Sequence, residues 1–401
     1  MIDLALTDEQ RLLVQTVRDY LAQRVAPDVQ RCDSAGTPLP GAFAKLAELG
    51  IVGLPFPQRY GGAGLDYVSF GLVCEELEYC DTALRTMMSV HAGLTGCGIY
   101  QWGSEEQKQR FLRPLAEGQK LAAFALTEPD AGSDVGAIKS TAQRAGDRYV
   151  LNGSKIWISC ATQADLFLIF AKTDVQRGKR GISAFIVERA QAGAALHTFA
   201  LHHKYGVRAG DTGGLTFNGL EVPQSQLLGE EGEGFHIAMT CLENGRYTVS
   251  AGATGLIRAC LDASLRYASE RKTFGVEIGR HQLVQEMIAN MTAAYDASRL
   301  LYLRAGWMKN KGMRNTRETA LAKWYACDAA NRCADDALEI HGAYGYSDEY
   351  PVARYLRNSR GSIIYEGSRE IQKLLHGEYA LGYRKDKAPR CQLPAWQEQP
   401  L

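Results

Sequence analysis

The first third of the chain has apolar residues at helical spacing. Val17 and Leu21 lie four residues apart on one face of a predicted helix, and similar patterns follow up to about residue 118. Thr7 and Gln10 form a capping-box pattern that marks where the first helix begins. The sequence therefore predicts an all-α domain over residues 1–120.

Near residue 120 the pattern changes to short runs rich in β-branched and aromatic residues. DRYVL, KIWIS, DLFLIFA and ISAFIVE are four of these runs, and each has the length and composition of a β-strand. Asn152-Gly153 lies between the first two and favours a two-residue hairpin turn. The sequence predicts a compact β domain over residues 121–232.

Long helical patterns return from Glu233 onward. Their periodicity extends over about residues 282–311 and 316–340. Helices of this length predict an antiparallel helical bundle over residues 233–388, which makes the fold class α+β. Residues 389–401 are polar and contain proline, so we expect a loose tail there.

Composition excludes several classes of partner. Lys plus Arg and Asp plus Glu each total 45 among 401 residues, so no net field attracts nucleic acid or an anionic membrane. The hydrophobic content of 46% and the charged content of 22% are those of an ordinary globular protein. We expect two or three domains with substantial cores and no nucleic-acid partner.

The sequence lacks targeting and metal-binding signals. Its first residues do not have the pattern of a signal peptide, and no apolar run reaches transmembrane length. The ten cysteines contain no CxxC pair, and HExxH, Walker and GxGxxG motifs are absent. We expect a cytoplasmic protein without membrane insertion or a metal site, in which any nucleotide cofactor binds without a Rossmann motif.

Two polar clusters lie next to predicted strands. ALTEPDAGSD, residues 125–134, forms a turn whose backbone N–H groups and hydroxyls can hold an anionic or heteroaromatic ligand, although its composition alone favours an ordinary surface turn. NGSKIWIS places Trp157 and Ser159 on one strand, so that an aromatic face and a hydroxyl are close together. The alternative is that Trp157 is a core residue.

Two further clusters belong to the C-terminal part. SERKTFG, residues 269–275, ends a long predicted helix with groups suited to a phosphate and a ring, or is simply a basic helix terminus. SIIYEGSREIQ, residues 362–372, leads a short apolar, strand-like run to one carboxylate, Glu366, and then to a glycine.

These clusters together resemble the acyl-CoA dehydrogenase family. LTEPDAGSDVGAIKSTA, NGSKIWIS, GLTFNGLEVPQSQLLGEEGEGF, SERKTFG and IYEGSREIQ match it in order over nearly the whole chain. The resemblance implies an acyl-CoA dehydrogenase-like fold with an all-α N-terminal domain, a β-barrel middle domain and a C-terminal four-helix bundle. It also implies an FAD cofactor, a homotetramer, and electron-transfer flavoprotein as the electron acceptor.

The resemblance also implies which residues bind FAD. Those expected to contact the flavin ring and pyrophosphate are Leu126, Thr127, Ser133, Trp157 and Ser159. Those expected to reach the FAD of a neighbouring subunit are Arg271, Thr273, Phe274 and Gln282. Ser368, Glu339 and Glu370 belong to the same expected site.

Two of these residues depart from the family pattern. Glu339 and Glu370 stand where the family usually has glutamine. A carboxylate in contact with a pyrophosphate would be repelled by about 1–4 kcal/mol, depending on the local dielectric. Either Glu339 turns away from the cofactor or the cofactor is held differently.

Glu366 corresponds to the family's catalytic base, which removes the α-proton of an acyl-CoA while a hydride leaves the β-carbon. Ile363, Ile364 and Tyr365 are expected to provide apolar surroundings that raise its pKa. Gly367 is expected to allow close approach of the substrate to the backbone, where an N–H donor is typically worth about 3–4 kcal/mol.

The position used for the base by a minority of the family is Gly245 here, which excludes it as a base. Arg246 next to it either orients the site or forms a local ion pair. The sequence leaves these two interpretations open.

Arg85, in DTALRTMMSVHAG, is the main clue to the substrate. Glutaryl-CoA dehydrogenases have an arginine at the matching place, where it can bind a second substrate carboxylate. Ser89 in the same segment, together with Ser133, Tyr365 and Gly367, is also expected to contact the substrate. The alternative is an ordinary helical ion pair between Arg85 and Asp81, worth about 0.2–0.5 kcal/mol.

These clues rank the possible substrates. We expect dehydrogenation of a CoA thioester with a second carboxylate, as in benzylsuccinyl-CoA dehydrogenases, because the segment after Glu366 resembles that of non-decarboxylating members. Decarboxylating glutaryl-CoA dehydrogenation is second, and a short or branched acyl-CoA is third. An oxidase is disfavoured by chain length, and an inactive flavin-bound scaffold by the intact YEG segment.

Overall fold

A computed structural model describes residues 5–385 and 387–396. Its N-terminal part is helical, and the Thr7 capping box predicted from the sequence is present. The helices of this part are α1 (Asp8–Arg24), α2 (Ala26–Ala35), α3 (Ala42–Glu48), α4 (Tyr67–Cys80), α5 (Thr82–Met88), α6 (Cys97–Trp102), α7 (Glu105–Gln107) and α8 (Arg113–Ala116). A π-helical stretch, Ser89–Gly96, joins α5 to α6.

The middle of the chain forms one sheet. Its strands are β1 (Ala122–Ala125), β2 (Thr141–Ala145), β3 (Arg148–Ser159), β4 (Leu166–Lys172), β5 (Ile182–Glu188), β6 (Leu196–Ala200), β7 (Thr212–Pro223) and β8 (Leu227–Leu228), with α9 (Arg189–Ala192) between β5 and β6. The strands pair in the order β6-β7-β3-β2-β4-β5-β8, and β1 pairs with β4 in parallel. The predicted β domain is confirmed.

Asn152 and Gly153 do not form a hairpin turn, so that prediction is wrong. β3 runs through both residues and pairs with β7, with a shift of register at this point. Gly146 and Asp147 make the turn between β2 and β3 instead. Gly146 has φ +66°, which a two-residue hairpin turn requires at its first central position.

The C-terminal part returns to helices. They are α10 (Gly234–Glu270), α11 (Gln282–Asn310), α12 (Thr316–His341), α13 (Val352–Ile364) and α14 (Arg369–Ala380), with the short strands β9 (Lys272–Thr273) and β10 (Val276–Glu277) after α10. α10 packs against α11 and α12 and also against α4 of the N-terminal part. In the part of the chain that the structure describes, no helix has the length and apolar character needed to span a membrane.

The approach to Glu366 is helical, not strand-like as the sequence had indicated. Ile363 and Ile364 form the last turn of α13. Ile363 is buried in the bundle core, whereas 62% of Ile364 is exposed. The helix ends at Tyr365, and the chain then makes a short turn before α14.

Two ion pairs to the buried Glu76 hold α4 in place. Glu76 on α4 accepts hydrogen bonds from Arg18 of α1 at 2.9 Å and from Arg258 of α10 at 2.7 Å. Glu78, two residues further along α4, faces the candidate site described below. These pairs therefore fix a helix that contributes directly to that site.

The expected loose tail is wrong for residues 389–396, which pack against the helices. The side-chain amide of Gln101 donates to the carbonyl of Cys391 at 2.8 Å. The indole N–H of Trp396 donates to the carbonyl of Gly64 at 2.9 Å. The end of the predicted tail lies outside the described residues.

Candidate active site

Glu366 lies in the turn between α13 and α14 and has an unusual backbone conformation. Its φ is +55°, a left-handed value that is uncommon for a residue with a side chain. Gly367 follows with φ +90°. Such conformations persist only where the surroundings enforce them, and they are frequent at functional sites.

The carboxylate of Glu366 is almost fully buried, with 9% of the side chain exposed. Ser89, the first residue of the π-helical stretch, donates a hydrogen bond to its Oε1 at 2.9 Å. Ser89 in turn shares a hydrogen bond of 2.7 Å with Thr248 of α10. The other carboxylate oxygen, Oε2, is buried and has no hydrogen-bond partner among the described residues.

Burial raises the pKa of Glu366, and the nearby charge of Arg85 and the hydrogen bond from Ser89 only partly oppose this effect. The sequence predicted a raised pKa from apolar surroundings provided by Ile363, Ile364 and Tyr365. Ile364 is mostly exposed and Ile363 packs in the bundle core, whereas Tyr365 accepts a hydrogen bond from Arg85 beside the carboxylate.

Gly245 lies directly against the carboxylate. A Cβ atom at this position would be 2.0 Å from Glu366 Oε2 and 2.6 Å from Leu94 Cδ2. Any side chain here would therefore displace Glu366. Gly245, which the sequence excludes as a base, therefore makes room for Glu366 because it has no side chain.

Arg85 is completely buried beside Glu366. Its Nε donates to Glu78 at 2.5 Å, and its Nη2 donates to the hydroxyl of Tyr365. Its Nη1 is 3.9 Å from Glu366 Oε1 and has no hydrogen-bond partner among the described residues. The guanidinium thus has one full ionic partner and one donor group that is not used.

The alternative pairing of Arg85 with Asp81 is wrong. Asp81 caps α5 by accepting from the backbone N–H of Ala83 at 2.8 Å, and it faces Arg354 at 3.6 Å. Glu78 takes its place as the partner of Arg85. Helical spacing alone could not predict this pair, because the two residues lie on different helices.

Gly252 of α10 leaves room for the Arg85–Glu78 pair. A Cβ atom there would be 2.1 Å from Glu78 Oε2 and 2.8 Å from Arg85 Cγ. Arg246, one turn and a half earlier on α10, is also buried, and burial lowers its pKa. A Cβ on Gly367 would be 3.5 Å from Arg246 Nε, so this arginine adjoins the turn that carries Glu366.

A second group of predicted residues comes together at the end of β1 and along β3. The backbone N–H of Ile156 donates to the carbonyl of Thr127 at 3.0 Å, which joins the 125–134 turn to β3. The next residue, Trp157, has φ +61° at a shift in the pairing of β3 with β7, and 61% of it is exposed. The alternative of a core tryptophan is therefore wrong.

A buried ion pair, which the sequence analysis missed, supports this second group. Lys155 is fully buried, and its Nζ donates to Glu128 at 2.7 Å and to the carbonyl of Leu126 at 3.2 Å. Glu128 also accepts from the backbone N–H groups of Lys139 at 2.5 Å and Ser140 at 3.0 Å. The pair thus fixes the 125–134 turn against β2 and β3.

The charges of this pair affect each other. Burial lowers the pKa of Lys155 to about 8, although Glu128 raises it. Burial also raises the pKa of Glu128, but Lys155 and the backbone N–H of Lys139 outweigh it and hold the pKa below its ordinary value. Glu128 therefore stays ionised.

Most of the remaining predicted cofactor residues lie at the surface. Phe274, at the tip of the β9–β10 hairpin, has φ +51° and is 96% exposed. Thr273 shares a hydrogen bond of 3.1 Å with His281, and Arg271 lies over the ring of Tyr344 at 5.7 Å. Exposed residues of the same set are Ser133, Gln282, Glu339 and Glu370, while Ser159 is half-buried and Leu126 is buried.

Ser368 and Glu370 belong to the start of α14. The hydroxyl of Ser368 accepts from the backbone N–H of Ile371 at 3.4 Å and caps the helix. Glu370 pairs with Arg369 at 2.9 Å. The carboxylate of Glu370 thus has a cationic neighbour at the start of α14.

Comparisons with known proteins cover almost the whole chain. The acyl-CoA dehydrogenase N-terminal, middle and C-terminal domain families match residues 7–119, 123–220 and 232–381. The glutaryl-CoA dehydrogenase of Desulfococcus multivorans is 39% identical over 390 residues, which is 96% of this chain and 99% of that protein. The chain belongs to the acyl-CoA dehydrogenase family.

Two further relatives of this acyl-CoA dehydrogenase differ in substrate or show a cofactor. The short-chain specific acyl-CoA dehydrogenase of Clostridium acetobutylicum is 38% identical over 374 residues, covering 93% of this chain and 98% of that protein. The structure of a glutaryl-CoA dehydrogenase from Mycobacterium smegmatis in complex with FADH2 has a TM-score of 0.89 at 31% identity, covering 94% of this chain and 95% of that one.

FAD is the cofactor of this acyl-CoA dehydrogenase, and the second group of residues fits it. An exposed indole on β3 and a turn held by buried charges present a flat aromatic face beside backbone and hydroxyl groups. Such a surface suits a heteroaromatic ring with a polar edge. Trp157, Thr127 and Leu126 are the residues that would hold the flavin ring.

Replacing Lys155 should weaken FAD binding. Lys155→Met leaves Glu128 buried without its counter-ion, which typically costs about 3–5 kcal/mol. We expect the 125–134 turn to loosen and the dissociation constant of FAD to rise at least about tenfold, because a loss of about 1.4 kcal/mol already has that effect. Titration of the apoprotein with FAD, followed by flavin fluorescence, measures this constant.

Lys139→Met is the matched control, because it removes a lysine that pairs with a residue of the same turn. Lys139 pairs with Asp130 at 2.7 Å, but both side chains are more than two-thirds exposed. Exposed pairs contribute little to stability, so FAD binding should stay as in the parent protein. Equal FAD affinity in the Lys155 and Lys139 variants would contradict the role assigned to the buried pair.

Proposed function

We propose that this acyl-CoA dehydrogenase oxidises a CoA thioester whose acyl group carries a second carboxylate, with Glu366 as the base. The observation that carries this proposal is the buried guanidinium of Arg85 beside Glu366, with Nη1 not hydrogen-bonded. A substrate carboxylate would supply the missing acceptor. The product is the corresponding 2,3-enoyl-CoA.

The environment of Glu366 supports its assignment as the base. Its Oε2 makes no hydrogen bond, so it is available to accept a proton from the substrate α-carbon. Burial makes the carboxylate more basic than an exposed glutamate. Bound FAD supplies the acceptor for the hydride that leaves the β-carbon, and electron-transfer flavoprotein is the proposed acceptor of the electrons.

Neighbouring groups would orient the thioester. Ser89 holds Oε1 of Glu366, which leaves Oε2 to face the substrate. We assign the backbone N–H of Glu366 as a donor to the thioester oxygen, where such a donor stabilises developing negative charge. Tyr365, Gly367, Arg246 and Ser133 complete the proposed substrate site.

The charges around Glu366 support an anionic acyl group. Arg85, Lys323 and Arg246 all lower the pKa of Glu366, which means that three cations act on this carboxylate. Only one other carboxylate, Glu78, pairs with Arg85 among the described residues. A cation that is buried without sufficient counter-charge is unfavourable, and a substrate carboxylate would offset that cost.

Among carboxylated substrates, we retain plain dehydrogenation of a benzylsuccinyl-CoA-like thioester as the first candidate and glutaryl-CoA as the second. The likeness to the Desulfococcus multivorans glutaryl-CoA dehydrogenase favours the second. Turnover of glutaryl-CoA with and without release of carbon dioxide distinguishes them. Release of carbon dioxide in step with electron transfer would replace the first candidate with the second.

We further propose that the β9–β10 hairpin completes the FAD site of a neighbouring subunit in a homotetramer. Phe274 is 96% exposed at the tip of this hairpin, and Leu283 at the start of α11 is 72% exposed. The ring of Phe274 lies 6.0 Å from that of His281, the residue just before α11, and contiguous exposed apolar surface favours a protein interface. The hairpin also carries Arg271 and Thr273, which suit a phosphate.

Glu366→Gln should abolish turnover while the protein keeps its FAD. The amide has the same shape but cannot accept the α-proton, and a general base typically contributes about 10²- to 10⁴-fold. Flavin absorbance measures cofactor content, and reduction of electron-transfer flavoprotein or a dye measures turnover. Turnover of the variant within tenfold of the parent value would refute the assignment.

The pH dependence of the parent protein is a second test. Its kcat should fall with decreasing pH at a higher pH than for an exposed glutamate, because Glu366 must be ionised and burial raises its pKa.

Arg85→Ala should affect carboxylated substrates more than simple ones. Hydrogen bonds to a charged group contribute about 1.5–3 kcal/mol, so kcat/KM for a dicarboxylic thioester should fall about 10- to 100-fold further than for a monocarboxylic thioester of equal length. Steady-state assays on both thioesters measure the difference.

The double variant Arg85→Ala with Glu78→Gln is the control for the loss of the buried pair. It removes the unpaired carboxylate that Arg85→Ala leaves behind, so the substrate-dependent loss should remain after stability recovers. Equal losses on both thioesters in both variants would mean that Arg85 does not bind a substrate carboxylate.

Phe274→Ser should loosen both the assembly and the cofactor. If the hairpin reaches a neighbour's FAD, the variant should bind FAD more weakly and give a smaller mass in light scattering after size exclusion. Leu12→Ser is the control, since Leu12 is 69% exposed on α1, away from the hairpin in sequence. A parent protein that is monomeric with FAD bound would contradict the proposal.

A further inference from the structure

Lys323 on α12 is a buried lysine whose partner is a backbone carbonyl. It has no exposed surface, and its Nζ donates to the carbonyl of Gly367 at 2.8 Å. No carboxylate of a described residue lies within ion-pairing distance of this ammonium. A buried charge without a counter-ion is costly, so its presence here needs an explanation.

The carbonyl that Lys323 holds belongs to the turn of Glu366. Gly367 directly follows Glu366, and the two residues have φ values of +90° and +55°. Gln372 of α14 donates to the same carbonyl at 3.1 Å. One buried donor from α12 and one from α14 therefore converge on a single oxygen of a strained turn.

The turn is tightly packed against these donors. A Cβ atom on Gly367 would be 2.5 Å from the side-chain amide of Gln372. Residue 367 must therefore be glycine both for its left-handed φ and for this contact. Any movement of the carbonyl would also move the backbone of Glu366, which is the preceding residue.

The ammonium also acts on the carboxylate by its charge. Burial lowers the pKa of Lys323, and Glu366 is among the groups that oppose this effect. Conversely, Lys323 lowers the pKa of Glu366 against the larger effect of burial. Removing the ammonium should thus make the ionised form of Glu366 less stable.

We propose that Lys323 is a positioning residue for the base: its ammonium fixes the carbonyl of Gly367, which holds the turn of Glu366, and its charge favours the ionised carboxylate. This inference rests on the proposed function of Glu366. Lys323 touches neither substrate nor cofactor in this role.

The other groups that face Glu366 come from each element packed against it. They are Arg85 from α5, Ser89 from the π-helical stretch, Arg246 from α10, Cys74 and, through Arg85, Glu78 from α4, and the adjacent Tyr365. All of them remain in a variant of Lys323. A change in the pH dependence of that variant can therefore be assigned to the missing ammonium.

The test uses the FAD-loaded protein with Lys323→Met, which keeps the length of the side chain and removes the donor and the charge. We expect kcat to fall at least about tenfold, since small displacements of a catalytic group have large effects on rate. KM should change less than about twofold, which corresponds to about 0.4 kcal/mol in binding. The acidic limb of the kcat–pH profile should move to higher pH, because the ionised base has lost a favourable charge.

Two further variants separate charge from position. Gln372→Met removes the other donor to the same carbonyl without changing any charge, so kcat should fall while the acidic limb stays in place. Lys309→Met removes another buried lysine of the bundle, which donates to Asn244 at 2.7 Å. It controls for the loss of a buried ammonium and should leave the limb unmoved.

Each outcome decides the proposal. A Lys323→Met enzyme with unchanged kcat and pH profile overturns it, as does a profile that moves equally in Lys309→Met. If Lys323→Met does not fold, Lys323→Gln replaces it in the same assays. If neither variant folds while Lys309→Met does, Lys323 contributes to stability alone and the proposal is overturned. Loss of turnover in Glu366→Gln with normal kinetics in Lys323→Met refutes this inference and leaves the proposed base intact.

Discussion

The burial of the Glu366 carboxylate is the constraint from which the rest of the site follows. An ionised carboxylate away from water needs nearby cations, and Arg85, Arg246 and Lys323 come from three different helices to meet that need. Each cation is itself buried and must be satisfied in turn. The site is therefore a product of how α5, α10 and α12 pack together, and no single segment of the chain could form it alone.

The two halves of the chemistry are carried by different parts of the fold. The helical bundle positions Glu366, whereas β1 and β3 carry the surface that fits the flavin. The link between them is α5 with its π-helical stretch, which contributes both Arg85 and Ser89; Met87 of α5 also lines a small cavity together with Ser159 of β3. π-helical turns are rare overall but common at functional sites, and this stretch brings Ser89 to the carboxylate of Glu366 from the C-terminal helices.

The sequence predicts those parts of the fold and site that depend on local patterns. Helical spacing predicts α11 and α12 to within about one residue, and the order of motifs predicts the family. Partners that are distant in sequence cannot be predicted in this way. Lys323 and Gly367 are 44 residues apart, and Lys155 and Glu128 are 27 apart, so neither pair has a local signal. The Asn152-Gly153 error has a related cause: this pair has the stronger local turn signal, but strand register places the turn at Gly146-Asp147.

Overall similarity is too coarse to identify the acyl group, because the chain is about equally similar to a glutaryl-CoA dehydrogenase and to a short-chain specific enzyme, at 39% and 38% identity. The substrate must be decided by the few side chains that face it. Arg85 can be buried only because Glu78 pairs with it and because Gly252 leaves space for both. A simple acyl chain would leave Nη1 without an acceptor, which costs about 1–3 kcal/mol or more for a charged group. A second substrate carboxylate could accept from Nη1 and a simple acyl chain could not. This difference supports the proposed carboxylated substrate, independently of the overall identity to either relative.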